Sequence, residues 1–415
     1  MYRDAVLVLG GYPQTLAVVR SLGAAGYQVV LGHQGDSPIA ARSRYCDSTW
    51  VYSTLWQNDQ FNGELKRLLR DRPEIRYIFP VAERTMQLMM ATDTTDIEPE
   101  IVMVAPGLVN DCRDKIQANS LATAAELNVP DTRLADSSGS LALACDAIGY
   151  PVIVKPLNSS KRVLGRKACI LGGPEALAEL FPTWPAEHSS LLVQQYVTGT
   201  LKGADFVASA GAITGYCEAH SVRTDMPDGT GFGVEFETIP PSPDVLDATR
   251  RFASVHNYNG PGLIQFIQSD VDGRLYFLEN NPRLSAGVAD SIACGVDMPL
   301  LSVGAFSSEP SRAFDPAQDP YEEYHRAYWL QRDLEGFIKQ SANLSVAQQR
   351  QWLWAMLQSF VRADSHINWQ WSDPAPALAS YFALFRRLAR HVLRRSEKPP
   401  RQSTATSLNE KPSDT

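Results

Sequence analysis

Short runs of aliphatic and β-branched residues recur along the chain, separated by segments with helical spacing. "AVLVLGG" (5–11) is a continuous apolar run ending in a glycine turn, the pattern of a strand covered on both faces. "PQTLAVVRSLGAAGY" (13–27) has apolar positions at helical spacing and stops near Gly26, and "QVVLG" (28–32) is a second strand. This βαβ opening predicts a parallel sheet with helices on its faces. "TWVYS" (49–53), a helix around 59–71, "YIFPV" (77–81) and "EIVMVAP" (100–106) continue it, so residues 1–110 read as a small doubly wound domain.

The pattern then changes. "DCRDKIQANSLATAAEL" (111–127) reads as a helix and "YPVIVKPL" (150–157) as a strand, with "KACIL" (167–171) expected to pair with it. A helix over 174–181 leads to the strand "SLLVQQYVTG" (190–199). Antiparallel strands over 205–239, a helix over 243–257 and the hairpin "GLIQFIQSDVDGRLYFLENN" (262–281) follow. Residues 311–395 are helical in pattern and hold five of the eight tryptophans, and 396–415 are polar, with the composition of a disordered tail.

Composition narrows the class. A chain of 415 residues, 44% hydrophobic and 20% charged, is that of a soluble protein of two or three domains. A net charge of −8 argues against a general nucleic-acid binder. The six cysteines and seven histidines are scattered, without CxxC or HExxH spacing, so neither a disulfide frame nor a zinc site is indicated. No apolar run reaches membrane-spanning length or resembles a signal sequence, and a cytoplasmic protein is the expectation. "LGGYPQ" lacks the GxGxxG pattern; a tight turn before a crossover helix is the plainer reading, with anion binding at the helix N-terminus physically open.

The hairpin carries chemistry. The strand "YFLENNPR" (276–283) ends on an acid, two amides and a guanidinium, an odd finish for a strand that only closes a core. Glu279 and Asn281 are two apart and share a side in an extended strand. If Asp272-Gly273 forms a two-residue turn, residue 265 opposes Asn280, whereas a Val271-Asp272-Gly273 loop sets Gln265 opposite Glu279. In the second register Gln265, Glu279 and Asn281 form an oxygen-only set suited to a hard cation such as Mg²⁺. Arg283 lies where it can fork onto a phosphate. A polar strand end in solvent explains the spacing equally well. Lys155 tips the balance: it emerges from the apolar run "PVIVKP", where an ammonium needs an anion or a route to water. With Lys115 it offers the cations that a nucleoside triphosphate requires beside a metal.

These features resemble an ATP-grasp domain over residues 111–310. The residues carrying the resemblance are "DK" (114–115), "YPVIVKP" (150–156), "LLVQQYVTG" (191–199) and "GLIQF" with "YFLENNPR" (262–283). The "Q…ENNPR" form resembles the carbamoyl-phosphate-synthase branch, and residues 1–110 resemble the preATP-grasp domain. The fold implied is α/β: a preATP-grasp domain, an ATP-grasp domain of two α+β subdomains with a lid over about 120–190, and a C-terminal helical extension. The resemblance implies that Lys115 and Lys155 contact the phosphates of ATP. It makes Gln194, Gln195, Tyr196 and Val197 the adenine hinge and gives Asp205 a ribose-holding or bracing role. It further implies that Gln265, Glu279 and Asn281 bind Mg²⁺ (or Mn²⁺), that Arg283 stabilises the transferred phosphate, and that Arg223 is a basic substrate contact. A solvated surface arginine is the competing reading of Arg223. The loop "NSSKRVLGR" (158–166) departs from the family in having only Gly165, and Ser159 and Ser160 stand in as phosphate donors. Gln195 occupies a hinge position where an acid is common.

The activity so implied is that of an ADP-forming ligase. A carboxylate is activated as an acyl-phosphate and coupled to an amine or thiol. The rival within the class is a carboxyphosphate-forming enzyme acting on bicarbonate; the rival outside it is a nucleotide-binding module without catalysis. The partners expected are a small carboxylate and an amine, with no nucleic acid; a dimer is compatible with the sequence, which does not itself define an oligomeric state. Residues 386–401 hold seven Lys/Arg and one Glu, so this stretch is +6 and the rest of the chain is −14. With it, 376–395 reads as an amphipathic helix of the kind that contacts anionic membrane surfaces, although a solvated face is the commoner meaning.

Overall fold

Five of the apolar runs assemble into one parallel sheet: β1 (Ala5–Leu9), β2 (Gln28–His33), β3 (Ser48–Val51), β4 (Ile75–Pro80) and β5 (Glu100–Ile101), in the order β3-β2-β1-β4-β5. The structure, a computed structural model, describes residues 4–53, 58–157, 161–226, 231–309 and 311–396, with the side chains of 58 and 387–396 excepted. β1 is central and wholly buried because helices cover both faces. Val6 and Val8 pack with Leu16, Val19 and Leu22 of α1 (Thr15–Ala24). Ala5, Leu7 and Leu9 pack with Phe61 and Leu65 of α2 (Asn58–Asp71) and Leu88 of α3 (Glu83–Met90). Gly10 sits at φ +111°, where a Cβ would fall 2.4 Å from the Tyr12 ring, so the turn after β1 requires glycine.

The single helix expected over 111–127 is two helices, α4 (Pro106–Arg113) and α5 (Lys115–Ala124). Asp114 breaks the run by taking an extended conformation, and its Oδ1 accepts from the N–H groups of Ile116 (2.9 Å) and Gln117 (3.1 Å). It is an N-cap. The break makes Lys115 the first residue of α5.

The next unit is a four-stranded antiparallel sheet with its own core. It contains β6 (Thr132–Ala135), α6 (Ser138–Ile148), β7 (Val152–Pro156), β8 (Cys169–Leu171), α7 (Pro174–Leu180) and β9 (Leu191–Gln195), the strands ordered β6-β9-β7-β8. Val152 and Val154 point into that core with Cys169, Leu171, Leu191 and Val193, so alternation sends Lys155 to the opposite face.

A seven-stranded sheet forms the body. Its strands are β10 (Gly199–Ser209), β11 (Ala212–Thr224), β12 (Gly233–Thr238), β13 (Gly260–Ser269), β14 (Leu275–Asn281), β15 (Arg326–Tyr328) and β16 (Ser365–His366), in the order β14-β13-β10-β11-β12-β15-β16. Phe206, Phe266 and Phe277 from one face, with Phe252 of α8 (Pro243–Val255), belong to the same hydrophobic cluster as Val18 and Val19 of α1. The helices α9 (Val288–Ala293) and α10 (Met298–Gly304) follow the β13–β14 hairpin.

The C-terminal part is not purely helical. Besides α11 (Leu330–Gln340), α12 (Val346–Arg362) and α13 (Ala375–Ser396), it supplies β15 and β16 to the central sheet. It is also tied to the first domain by a buried ion pair. Arg20 Nε meets Asp373 Oδ2 at 2.9 Å, and the same carboxylate accepts from Ser43 Oγ (2.6 Å) and the Arg44 N–H (3.0 Å). Burial alone would raise the Asp373 pKa, but these donors outweigh it and hold the carboxyl below its ordinary value. The disordered tail expected for 396–415 lies, beyond Ser396, outside the described residues.

Candidate active site

The site grows out of the ladder between β10, β13 and β14. Gly203 pairs with Gln265, which pairs with Glu279; two rungs on, Cys217 pairs with Asp205, Asp205 with Leu263, and Leu263 with Asn281. Residues two apart on a strand share a face, so Gln265, Glu279, Asn281 and Asp205 all project to one side of the sheet. The opposite side carries Ile264, Phe266, Phe277 and Asn280, all buried.

The hairpin reaches this register by neither of the turns that the sequence suggests. Ser269 N–H donates to Arg274 O at 2.9 Å, and Gly273 N–H donates to Ser269 O at 3.0 Å, so the loop is Asp270–Gly273, with Gly273 left-handed at φ +69°. That loop pairs Phe266 with Phe277, and a bulge at Leu278 then brings Glu279 opposite Gln265. Phe277 stays in the core, and Glu279 leaves it.

The two lysines lie within electrostatic reach of the acid. Lys155 Nζ donates to Gln194 Oε1 at 3.0 Å, and Lys115 Nζ donates to Pro156 O at 2.6 Å. Burial and the repulsion of Lys115 lower the Lys155 pKa to about 8, with Glu279 pulling the other way. Lys115 is likewise lowered by burial, against the attraction of Glu279 and Asp114. Two desolvated ammonium groups facing one carboxylate leave an excess of positive charge, a seat for a polyanion.

At the end of β14, Asn281 Nδ2 donates to Glu279 Oε1 at 2.8 Å, and Arg283 approaches Asn281 Oδ1 at 3.5 Å. Asp205 Oδ2 accepts from Ser285 Oγ at 3.0 Å. Burial pushes Asp205 up to about 6, while Ser285 and Arg283 draw it back. Asp205 is therefore tied to Ser285, just past β14, and lies within electrostatic reach of Arg283. Among the described residues no three His, Cys, Asp or Glu side chains converge as a metal cluster. The donor set is instead one carboxylate with two amide oxygens, which fits a hard cation completed by phosphate and water once the Asn281 amide turns its oxygen towards Glu279.

Other expected residues fall into place unevenly. Gln194 is buried between Lys155 and Thr132, its Nε2 donating to Thr132 Oγ1 at 3.0 Å. The N–H groups of Gln195 and Tyr196 donate to Asp131 O (2.8 Å) and Pro151 O (3.1 Å), so the sheet has already taken two of the hinge donors; Val197 follows directly. Ser159 and Ser160 lie outside the described residues. Leu164 and Gly165, both left-handed, turn a two-residue hairpin closed by Val163 and Arg166, which uses the loop's single glycine. Arg223 is engaged elsewhere. Its guanidinium ion-pairs with buried Asp333 of α11 and with Glu235 (3.5 Å), and donates to Ser359 Oγ of α12 (3.2 Å).

Sequence reasoning missed the walls. A cavity beside Glu279–Arg283 is closed by Glu83 of α3 and Cys112 and Arg113 of α4, with Arg113 Nε 2.5 Å from Glu83 Oε1. Asp290 of α9 is buried with Oδ1 unpartnered, and burial together with Asp205 pushes it up to about 7. Neither group lies in a motif, and only the fold brings them near the hairpin.

No family profile matches the chain, and no curated protein does. Solved structures do. The ADP complex of N5-carboxyaminoimidazole ribonucleotide synthetase aligns with a TM-score of 0.58 at 15% identity, over 83% of this chain and 86% of that one. Phosphoribosylglycinamide synthetase from Anaerococcus prevotii aligns with a TM-score of 0.59 at 15% identity, over 78% and 80%. L-amino acid ligase from Bacillus licheniformis aligns with a TM-score of 0.54 at 12% identity, over 79% of each chain. The chain thus has the ATP-grasp fold, preceded by a preATP-grasp domain.

Proposed function

We propose that the protein is an ATP-dependent, ADP-forming ligase that joins a small carboxylate to an amine or thiol. The observation that carries this reading is the shared face of Gln265, Glu279 and Asn281, with Lys155, Lys115 and Arg283 around it. The similarity in fold to ligases such as the L-amino acid ligase supports it. Lys155 and Lys115 hold the ATP phosphates, and Arg283 offsets charge on the transferred group. Mg²⁺, when bound by Glu279 and the amide oxygens of Gln265 and Asn281, supplies neutralisation of the phosphate oxygens. A carboxylate oxygen attacks the γ-phosphorus, the bond to the β-phosphate oxygen breaks, and ADP leaves. The nucleophile then attacks the acyl carbon, and phosphate departs with the electron pair of the broken C–O bond while the nucleophile loses its proton. The protein mainly positions and stabilises.

The bicarbonate reading has support of its own, because biotin carboxylase from Campylobacter jejuni aligns at a TM-score of 0.58 and 14% identity. One experiment separates the readings: ADP release with ATP and Mg²⁺ against a panel of carboxylates, each with and without amines, and bicarbonate alone. Turnover that needs a carboxylate and an amine supports the ligase, and turnover on bicarbonate alone the second reading. ATP binding with no turnover anywhere leaves a binding module. Glu279→Ala lowers kcat/KM by about a hundredfold or more on the proposed reading, and a fully active variant removes the metal assignment.

A further inference from the structure

The last helix has two unlike faces. Ala377, Ser380 and Leu384 of α13 are buried, and the helix packs on residues 39–42 of the first domain and on α11. Leu378, Phe382 and Phe385 fall on the outer side at intervals of four and three, one line along the helix. They are 56%, 66% and 68% exposed. Single exposed apolar residues are ordinary, but a line with two phenylalanines on a helix anchored by its other face is not. Trp371, just before the helix, is 85% exposed as well.

Charge says what would cover this line. Residues 375–396 contain Arg386, Arg387, Arg390, Arg394 and Arg395 and no Asp or Glu, in a chain whose net charge is −8. A second copy of this helix, equally basic and without Asp or Glu, offers these arginines no counter-charge. An anionic surface accepts them. Among the described residues no helix is long and apolar enough to cross a membrane, and an apolar line beside a basic end suits contact with a surface rather than a span.

We propose that α13 seats the protein on an anionic membrane surface, with Leu378, Phe382 and Phe385 entering the boundary between headgroups and acyl chains and the arginine-rich half of the helix meeting lipid phosphates. The exposed indole of Trp371 suits the same interface.

The test is co-sedimentation of the full chain with vesicles of phosphatidylcholine alone or mixed with phosphatidylglycerol, beside light scattering of the free protein. The expected result is binding to the mixed vesicles only, weakened about tenfold by high salt. Phe382→Ser with Phe385→Ser is expected to lose that binding while keeping the wild-type circular dichroism. Arg390→Gln with Arg394→Gln weakens it independently of the apolar line. Equal binding to both vesicle types, binding to neither, or unchanged binding of both variants overturns the proposal. Loss of a dimer in the phenylalanine variant, without vesicle binding by the wild type, assigns the face to a second copy instead.

Discussion

Gln265 and Glu279 stand opposite one another across β13 and β14 only because Leu278 is bulged between Phe277 and Glu279. The turn alone would pair Glu279 with Ile264 and carry its carboxylate into the core. If the two oxygens serve one ion, their losses are not independent. Gln265→Ala and Glu279→Ala are each expected to lower kcat/KM by about a hundredfold or more, and the double variant by clearly less than the product. Steady-state kinetics at saturating Mg²⁺ measures this. Fully multiplicative losses sink the shared site.

Lys155 gives a pH signature. Its pKa is lowered to about 8, so its charge is present below that value and lost as pH rises through it. Affinity for metal-free ADP is expected to fall by roughly tenfold between pH 7 and pH 9. Lys155→Arg keeps its charge throughout and flattens the profile. Calorimetric titration of both proteins checks it, and parallel profiles refute the assignment.

Arg223 separates structure from catalysis. Its pairing with Asp333 and Glu235 joins β11 to α11, β12 and, through Ser359, α12. Arg223→Met leaves buried Asp333 without its cation and is expected to cost about 2 kcal/mol or more in stability. Turnover per folded molecule stays near wild type. Denaturant unfolding alongside kcat and KM decides, since a tenfold loss of kcat/KM at unchanged stability restores a substrate-contact role.

The parallel domain was legible because its apolar runs and helical spacings are local. So were Lys155, Glu279, Asn281 and Arg283, whose residue types clash with the strands that carry them. The break at Asp114 was hidden because an N-cap in mid-run looks like any acidic residue in a helix. The Leu278 bulge was hidden because two strands must be in register before an extra residue shows. Arg223 looked like a site residue from its motif neighbourhood, and its partners Asp333 and Ser359 lie more than a hundred residues away in the chain. Asp290, Glu83 and Arg113 had no local signal at all.

β15 and β16 continue the sheet that begins with β14, with Glu235, Phe236 and Glu237 of β12 pairing with Tyr328, Ala327 and Arg326. A chain shortened before Arg326 would leave β12 with a raw margin of unmet amides and carbonyls, ready to recruit a strand from another molecule. The segment from Arg326 onward is thus a seal on the body of the fold, and shortened versions of this protein should clump before they lose their chemistry.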